Sequence, residues 1–197
     1  VSLVGRVNSW VGSGAAASTP GIRLAAAVKR PVIHAVDASG DGFVTEYQGC
    51  IVSKVTAGGT VSLLAGSGTC THSPGTGAGA GFYTPIGIEF RGATLVVCET
   101  EGNYVRTINP ADGSTTIEAG TGVAGFLDGP IGTSMANKPY IVAVDGSGVS
   151  FFTEYSNHAV RKLDTSAVTT TIAGTGAIGN SDNVIGVWAE LSYPSGI

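Results

Sequence analysis

The tripeptide Gly-Ser/Thr-Gly returns at one spacing along the whole chain. It falls at Gly12-Ser13-Gly14, Gly66-Ser67-Gly68, Gly120-Thr121-Gly122 and Gly174-Thr175-Gly176, 54 residues apart each time. Two further markers keep the beat. Pro31, Pro85, Pro139 and Pro194 are separated by 54, 54 and 55 residues, and an acid (Glu46, Glu99, Glu154) ends a run rich in Val, Phe, Thr or Leu in each interval. Three markers in one register mean one supersecondary unit repeated in tandem. A fixed period of this size points to a propeller or a solenoid.

The copy that starts at Pro139 shows the unit most cleanly. Tyr140–Asp145, Val149–Glu154, Ala159–Leu163 and Val168–Ala173 are rich in Val, Ile, Phe and Thr, and short Gly, Asn, Asp and Ser turns separate them. No stretch keeps apolar residues at i, i+3, i+4 and i+7 over three turns, so helices are expected to be scarce. Gly49, Gly102 and Asn157 each stand three residues after the repeated Glu, where a tight hairpin with positive φ is expected. Four short antiparallel strands make one blade of a β-propeller. The predicted fold is therefore all-β, with blades at 31–66, 85–120 and 139–174. Residues 1–12 match the last strand of a preceding blade, with Trp10 in the place of Leu64 and Ile172, and residues 194–197 match the opening of a following one.

Three complete blades and two partial ones cannot close a ring that needs four to eight. Either the chain is an excerpt of a longer propeller or several chains complete the circle. Open strand edges at both ends predict that residues 1–197 alone are not a stable monomer. Gly-rich loops at 67–84, 121–138 and 175–193 run from the outermost strand of one blade to the innermost strand of the next. They are expected on the same face as the turns after Glu46, Glu99 and Glu154, and binding sites on such scaffolds sit on loops.

The net charge is −4, with ten Lys and Arg in 197 residues, which argues against nucleic acid as a partner. Apolar runs are broken within about ten residues, too short for a membrane span, so no membrane insertion is expected. The chain starts at Val1 without an initiator Met, and the lack of a leader decides nothing. Three cysteines without a Cys-x-x-Cys are no metal signature. Topology says more than their number. Cys50 opens the third strand of the first blade and Cys70 follows the end of its fourth, so antiparallel neighbours bring them within disulfide range. A Cys50–Cys70 bond would place the protein outside the cytosol, at the cell surface or beyond. Cys98 replaces Thr45 and Thr153 on an inner strand and is expected to be a buried free thiol.

Thr153-Glu-Tyr-Ser-Asn-His-Ala-Val-Arg-Lys-Leu163, followed by Val168-Thr-Thr-Thr-Ile-Ala-Gly-Thr-Gly176, resembles the NHL-repeat family. Glu99-Thr-Glu-Gly-Asn-Tyr-Val-Arg-Thr-Ile108 is similar. Glu46-Tyr-Gln-Gly-Cys-Ile-Val-Ser-Lys-Val55 is more distant: it lacks the Arg and has Gln-Gly-Cys where Asn-His would fall. The resemblance implies a propeller, commonly of six blades, that acts as a binding or scaffolding module. It also implies that a minority of such propellers are lyases or lactone hydrolases.

Recurrence in every blade marks Glu46, Glu99 and Glu154 as structural. Glu99 with Arg106, and Glu154 with Arg161, sit at matched spacing across a hairpin and are expected to form partly exposed turn pairs worth about 0–1 kcal/mol. Departures from the repeat are better places to look for function. Glu89 stands on an innermost strand where the other copies have Ala35 and Ala143, and His34 stands where they have Ile88 and Val142. These two are the candidate ligand or channel residues. Glu118, in the place of Leu64 and Ile172, is expected to mark a local shift of register. Asp37-Ala-Ser-Gly-Asp-Gly42 lacks the carboxylates of a calcium loop and reads as a hairpin turn. No catalytic residue, cofactor or metal site is identified. The expected function is a non-enzymatic propeller module that binds a protein partner, or further copies of itself, through its long loops, as an extracellular structural component in one version. The alternative is a propeller lyase or hydrolase with a metal in the central channel, its ligands largely outside this segment.

Overall fold

A computed structural model describes residues 11–197, and for Ile33 and His34 the backbone only. The opening strand expected within 1–12, with Trp10, therefore falls almost wholly outside the described residues. Three antiparallel sheets follow one another along the chain. The first holds β1 (Gly21–Ile22), β2 (Pro31–Val36), β3 (Gly42–Glu46), β4 (Ile51–Val55) and β5 (Thr60–Ala65), in spatial order β1-β5-β4-β3-β2. The second is β6 (Pro85–Arg91), β7 (Thr94–Glu99), β8 (Tyr104–Ile108) and β9 (Thr115–Ala119) in sequence order. The third holds β10 (Gly129–Pro130), β11 (Pro139–Val144), β12 (Ser150–Glu154), β13 (Ala159–Leu163) and β14 (Val168–Ala173), in order β10-β14-β13-β12-β11. Inner strands β2 and β11 both pack against β6, so the sheets fan from a common inner line. This is a partial β-propeller. Among the described residues the helical structure is three single 3-10 turns, at Arg23–Ala25, Gly77–Gly79 and Gly186–Trp188.

The core lies between blades rather than within them. Phe43, Val52 and Leu64 of the first blade meet Ile88, Leu95 and Val97 of the second. Val96, Cys98 and Val105 on the second blade's other face meet Val142, Phe152 and Leu163 of the third. Hydroxyls tie adjacent blades at the inner edge: Thr45 donates to the Ile86 carbonyl and Thr100 to that of Pro139, each at 2.8 Å.

The markers of the repeat now have physical causes. Gly66, Gly120 and Gly174 have φ of +118°, +90° and +96°, and a Cβ there would lie 2.7, 2.1 and 2.3 Å from the carbonyl oxygens of Cys50, Asn103 and His158. No side chain fits. The glycine lets the end of the fourth strand close on the start of the third. Pro31, Pro85 and Pro139 pair in register with Glu46, Glu99 and Glu154. Positive φ in the following turn falls one residue later than the sequence suggested, on Cys50 (54°), Asn103 (57°) and His158 (49°). Gly49 and Gly102 are small for another reason: a Cβ on them would lie 2.9 Å from Glu46 Cβ and 2.5 Å from Glu99 Oε1. Asn157 instead sends its amide 2.5 Å to Glu154. Glu118 also needs correction. The register break at its position recurs beside Leu64 and Ile172, so it belongs to every blade, and Glu118 pairs with Arg91 at 2.7 Å.

The inter-blade loops are not loose. The three that lead into a blade cross to its outer rim and pair with or beside its last strand, as β1 with β5, β10 with β14, and Thr76 with Ser114 next to β9. They also close on themselves at Thr19–Ala27, Ser73–Gly81 and Leu127–Met135, again on the 54-residue beat. The exposed edge that a blade would present is thereby covered by its own chain.

Candidate functional site

The repeated Glu and the residue seven after it hold these loops in place. Arg106 Nη1 donates to Glu99 Oε2 at 3.2 Å and to the Gly81 carbonyl at 2.7 Å, while Nη2 donates to the Ser73 carbonyl and to Thr115 Oγ1. Arg161 Nη1 reaches Glu154 Oε1 at 2.8 Å and Nη2 reaches the Leu127 carbonyl and Asp128 at 2.9 Å. Phe82 and Phe126, from the same loops, lie under the two guanidinium planes. All four charged side chains are buried. Both expected pairs form, but they are buried rather than partly exposed: these are desolvated hubs binding loop to blade, because loop carbonyls close over the arginine. In the first blade Ser53 replaces the arginine and, with Ser18 and the Lys29 amide, satisfies Glu46.

These invariant groups also build a ring of variable ones. The residue before each repeat proline has a left-handed backbone: Arg30 (φ 49°), Thr84 (64°), Lys138 (53°) and Tyr193 (46°). Its carbonyl accepts the amide of the residue after the repeated Glu, as Arg30 from Tyr47, Thr84 from Thr100 and Lys138 from Tyr155, at 3.0–3.1 Å. A left-handed φ at all four equivalent positions belongs to the scaffold of the repeat. At these positions the first and third blades deliver Arg30 and Tyr47, and Lys138 and Tyr155, to one mouth of the fan, while in the second blade Thr84 is buried and only Thr100 reaches it.

Those side chains line a cleft of about 470 Å³ that spans the three blades, with Arg30, Tyr47, Glu101, Lys138, Tyr140 and Tyr155 on its walls. Arg30 is exposed, its Cζ 5.7 Å above the Tyr47 ring, and among the described residues no carboxylate pairs with it. Lys138 reaches Glu101 at 3.0 Å, an ion pair about 40% exposed at each end. Tyr155 touches Tyr140 and Tyr193 at ring-centroid distances of 5.5 and 4.8 Å, and His158 meets the Tyr193 ring and accepts its amide. A larger hollow of about 790 Å³ lies beside Val11, Leu24 and Val44 and shares Arg30 with this cleft.

The residues singled out from sequence lie elsewhere. Glu89 is half-buried on β6, its carboxylate accepting the amide of its own neighbour Phe90 at 2.8 Å, and among the described residues no ion pair joins it to another group. His34 lies on β2, and its side chain is outside the described set. Among the described residues no three His, Cys, Asp or Glu side chains converge. A disulfide joins Cys50 to Cys70 with Cα atoms 5.2 Å apart, stitching β4 to the loop that leaves the first blade. Cys98 is a buried free thiol whose acidity burial suppresses. The mouth residues were missed because they are not departures on a strand. Their signal was available, one residue before each marker proline and one after each marker glutamate.

No family model matches the chain, and no curated protein matches it. Solved structures do. An auxiliary nutrient binding protein from Bacteroides ovatus is 17% identical and superposes with a TM-score of 0.67 over 86% of this chain and 43% of its own. A gluconolactonase from Xanthomonas campestris is 18% identical, TM-score 0.54, over 73% of this chain and 47% of its own. Virginiamycin B lyase from Staphylococcus aureus is 17% identical, TM-score 0.50, over 72% and 40%. The shared element is the propeller fold. The chain spans under half the length of each of these proteins.

Proposed function

We infer that this chain is a non-catalytic, NHL-like propeller module that binds a protein partner, or a further copy of itself, at the turn-bearing mouth. The observation that carries this is the division of labour within the repeat. Pro, Glu and Gly recur and hold the backbone, while beside them Arg30, Tyr47, Thr100, Lys138 and Tyr155 differ from blade to blade and face one cleft. Arg30 and Lys138 are the last residues of inter-blade loops, so the long loops supply the binding face by their ends. Tyr and Arg are the residue types that dominate binding hot spots. The Cys50–Cys70 bond supports a compartment outside the cytosol.

The test compares the full chain with a Tyr47→Ser/Tyr155→Ser variant on peptide and oligosaccharide arrays, with sedimentation of each for self-association. Ligands or dimers lost in the variant are expected. Capture retained equally by both proteins would defeat the reading. The second reading, a lyase or hydrolase like two of the fold neighbours, draws on Glu89 near the inner line of the fan. Stoichiometric Zn²⁺ or Ca²⁺ retained by the protein after dialysis would favour it.

A further inference from the structure

We propose that the cleft takes an extended acidic segment of a protein partner, with a carboxylate of that segment seated on Arg30. The proposal rests on the reading that the mouth is the binding face. The chain is acidic overall, with a net charge of −4, yet two of its ten basic residues meet in this one cleft. Arg30 presents its fork of donors to solvent, beside Tyr47 and on a left-handed backbone, with no carboxylate paired to it among the described residues. A planar guanidinium so placed suits bidentate capture of a carboxylate. Lys138 is engaged only by Glu101, in an exposed pair of the kind worth about 0–1 kcal/mol, so an incoming carboxylate can exchange with it.

The aromatic rings separate a peptide from a saccharide. Tyr155 is tilted by 36° and 39° against Tyr140 and Tyr193 and packs on both, and the Tyr47 face is covered by Arg30. The cleft therefore presents rings tilted against one another and already packed on neighbours rather than one shared flat platform for a sugar ring. It offers ring edges, phenolic hydroxyls and notches between tilted rings, which suit the side chains and amides of an extended peptide.

A labelled peptide of alternating Glu and Ala is titrated into the full chain at low salt and followed by fluorescence anisotropy. Binding should saturate, weaken with salt, and vanish for the Gln/Ala peptide. Arg30→Gln should weaken it by about tenfold or more, the loss of a charge-assisted hydrogen bond. Glu101→Gln should tighten it, by removing the competing carboxylate, a gain that a damaged fold cannot give. Binding unchanged in Arg30→Gln, weakened in Glu101→Gln, or weaker than that of a tetra-galacturonate would overturn the proposal. No peptide binding alongside mouth-dependent array hits would sink the acidic ligand and leave the mouth standing. Loss of both would sink the two together.

Discussion

Arg106 lies 3.2 Å from Glu99 with neither side chain in contact with solvent, and the same guanidinium holds two carbonyls of the loop before its blade. A buried ion pair is weak grounds for stability on its own, because desolvation offsets the attraction. Here the arginine also satisfies backbone groups that the loop would otherwise bury unpaired. Removing the arginine leaves the Gly81 and Ser73 carbonyls without this donor and takes from the buried Glu99 its guanidinium, leaving it His72 and the Tyr83 amide.

Arg106→Ala should therefore cost about 3–5 kcal/mol in urea denaturation, against a far smaller loss for the partly exposed Lys162→Ala on the neighbouring blade. Arg106→Lys should recover only part, since an ammonium cannot reproduce the fork. A loss under about 1 kcal/mol would mean the loop is held by other contacts.

The division between what was legible and what was not runs along this pair. The period, the blade order and the Cys50–Cys70 approach could be read because they rest on residue types with one steric meaning, such as glycine at φ +90° against the Asn103 carbonyl. The burial of Glu99 and Arg106 could not. A Glu and an Arg seven apart look alike in sequence whether water or loop covers them, and the covering groups at Gly81 and Ser73 are backbone carbonyls that any residue carries. The mouth was overlooked for a related reason. Arg30 and Lys138 gain their meaning from a left-handed φ before proline, an uncommon conformation that composition does not announce.

Glycine 120 separates two costs that positive φ usually mixes. Gly120 (φ +90°) has the Asn103 oxygen 2.1 Å from an ideal Cβ, whereas Gly132 (φ +79°) has nothing within 4 Å. Gly132→Ala should lose about 1–2 kcal/mol, the left-handed penalty alone. Gly120→Ala should lose a further 1–3 kcal/mol or so from the clash. Equal losses by thermal denaturation would show that the fourth strand can shift away from the third.

The cysteines predict a defined thiol count. Native protein should react with no thiol reagent on the minute scale, because Cys98 is buried with its thiolate disfavoured and Cys50 and Cys70 are bonded. In denaturant without reductant, one thiol should be alkylated by mass. The Cys50→Ser/Cys70→Ser double variant, opening a loop of 20 residues, should be less stable by about 2–4 kcal/mol. Three alkylated thiols in unreduced, denatured protein would remove the bond and the argument for compartment.

The acid side of the stability curve follows from two opposed groups. Burial pushes the Glu154 carboxyl up to about 7 from an ordinary 4.5, against the pull of Arg161 and Asn157. The folded state then holds more protons than the unfolded one between those values, so this group makes stability fall as pH rises from about 4.5 to about 7. Asp37 and Asp145 act the other way. Hydrogen bonds from the Ser39 and Ser147 hydroxyls, then from turn amides, hold both below the ordinary 3.8. Their contribution is complete above 3.8 and is lost as pH falls through the lower folded values. Melting temperature should therefore peak near pH 4–5 on the acid side and decline toward 7. Glu154→Gln should flatten the decline between 4.5 and 7 and leave the drop below 3.8 in place. A decline of unchanged slope in that variant would mean Glu154 stays ionised on Arg161 throughout, and that the ion pair outweighs its burial.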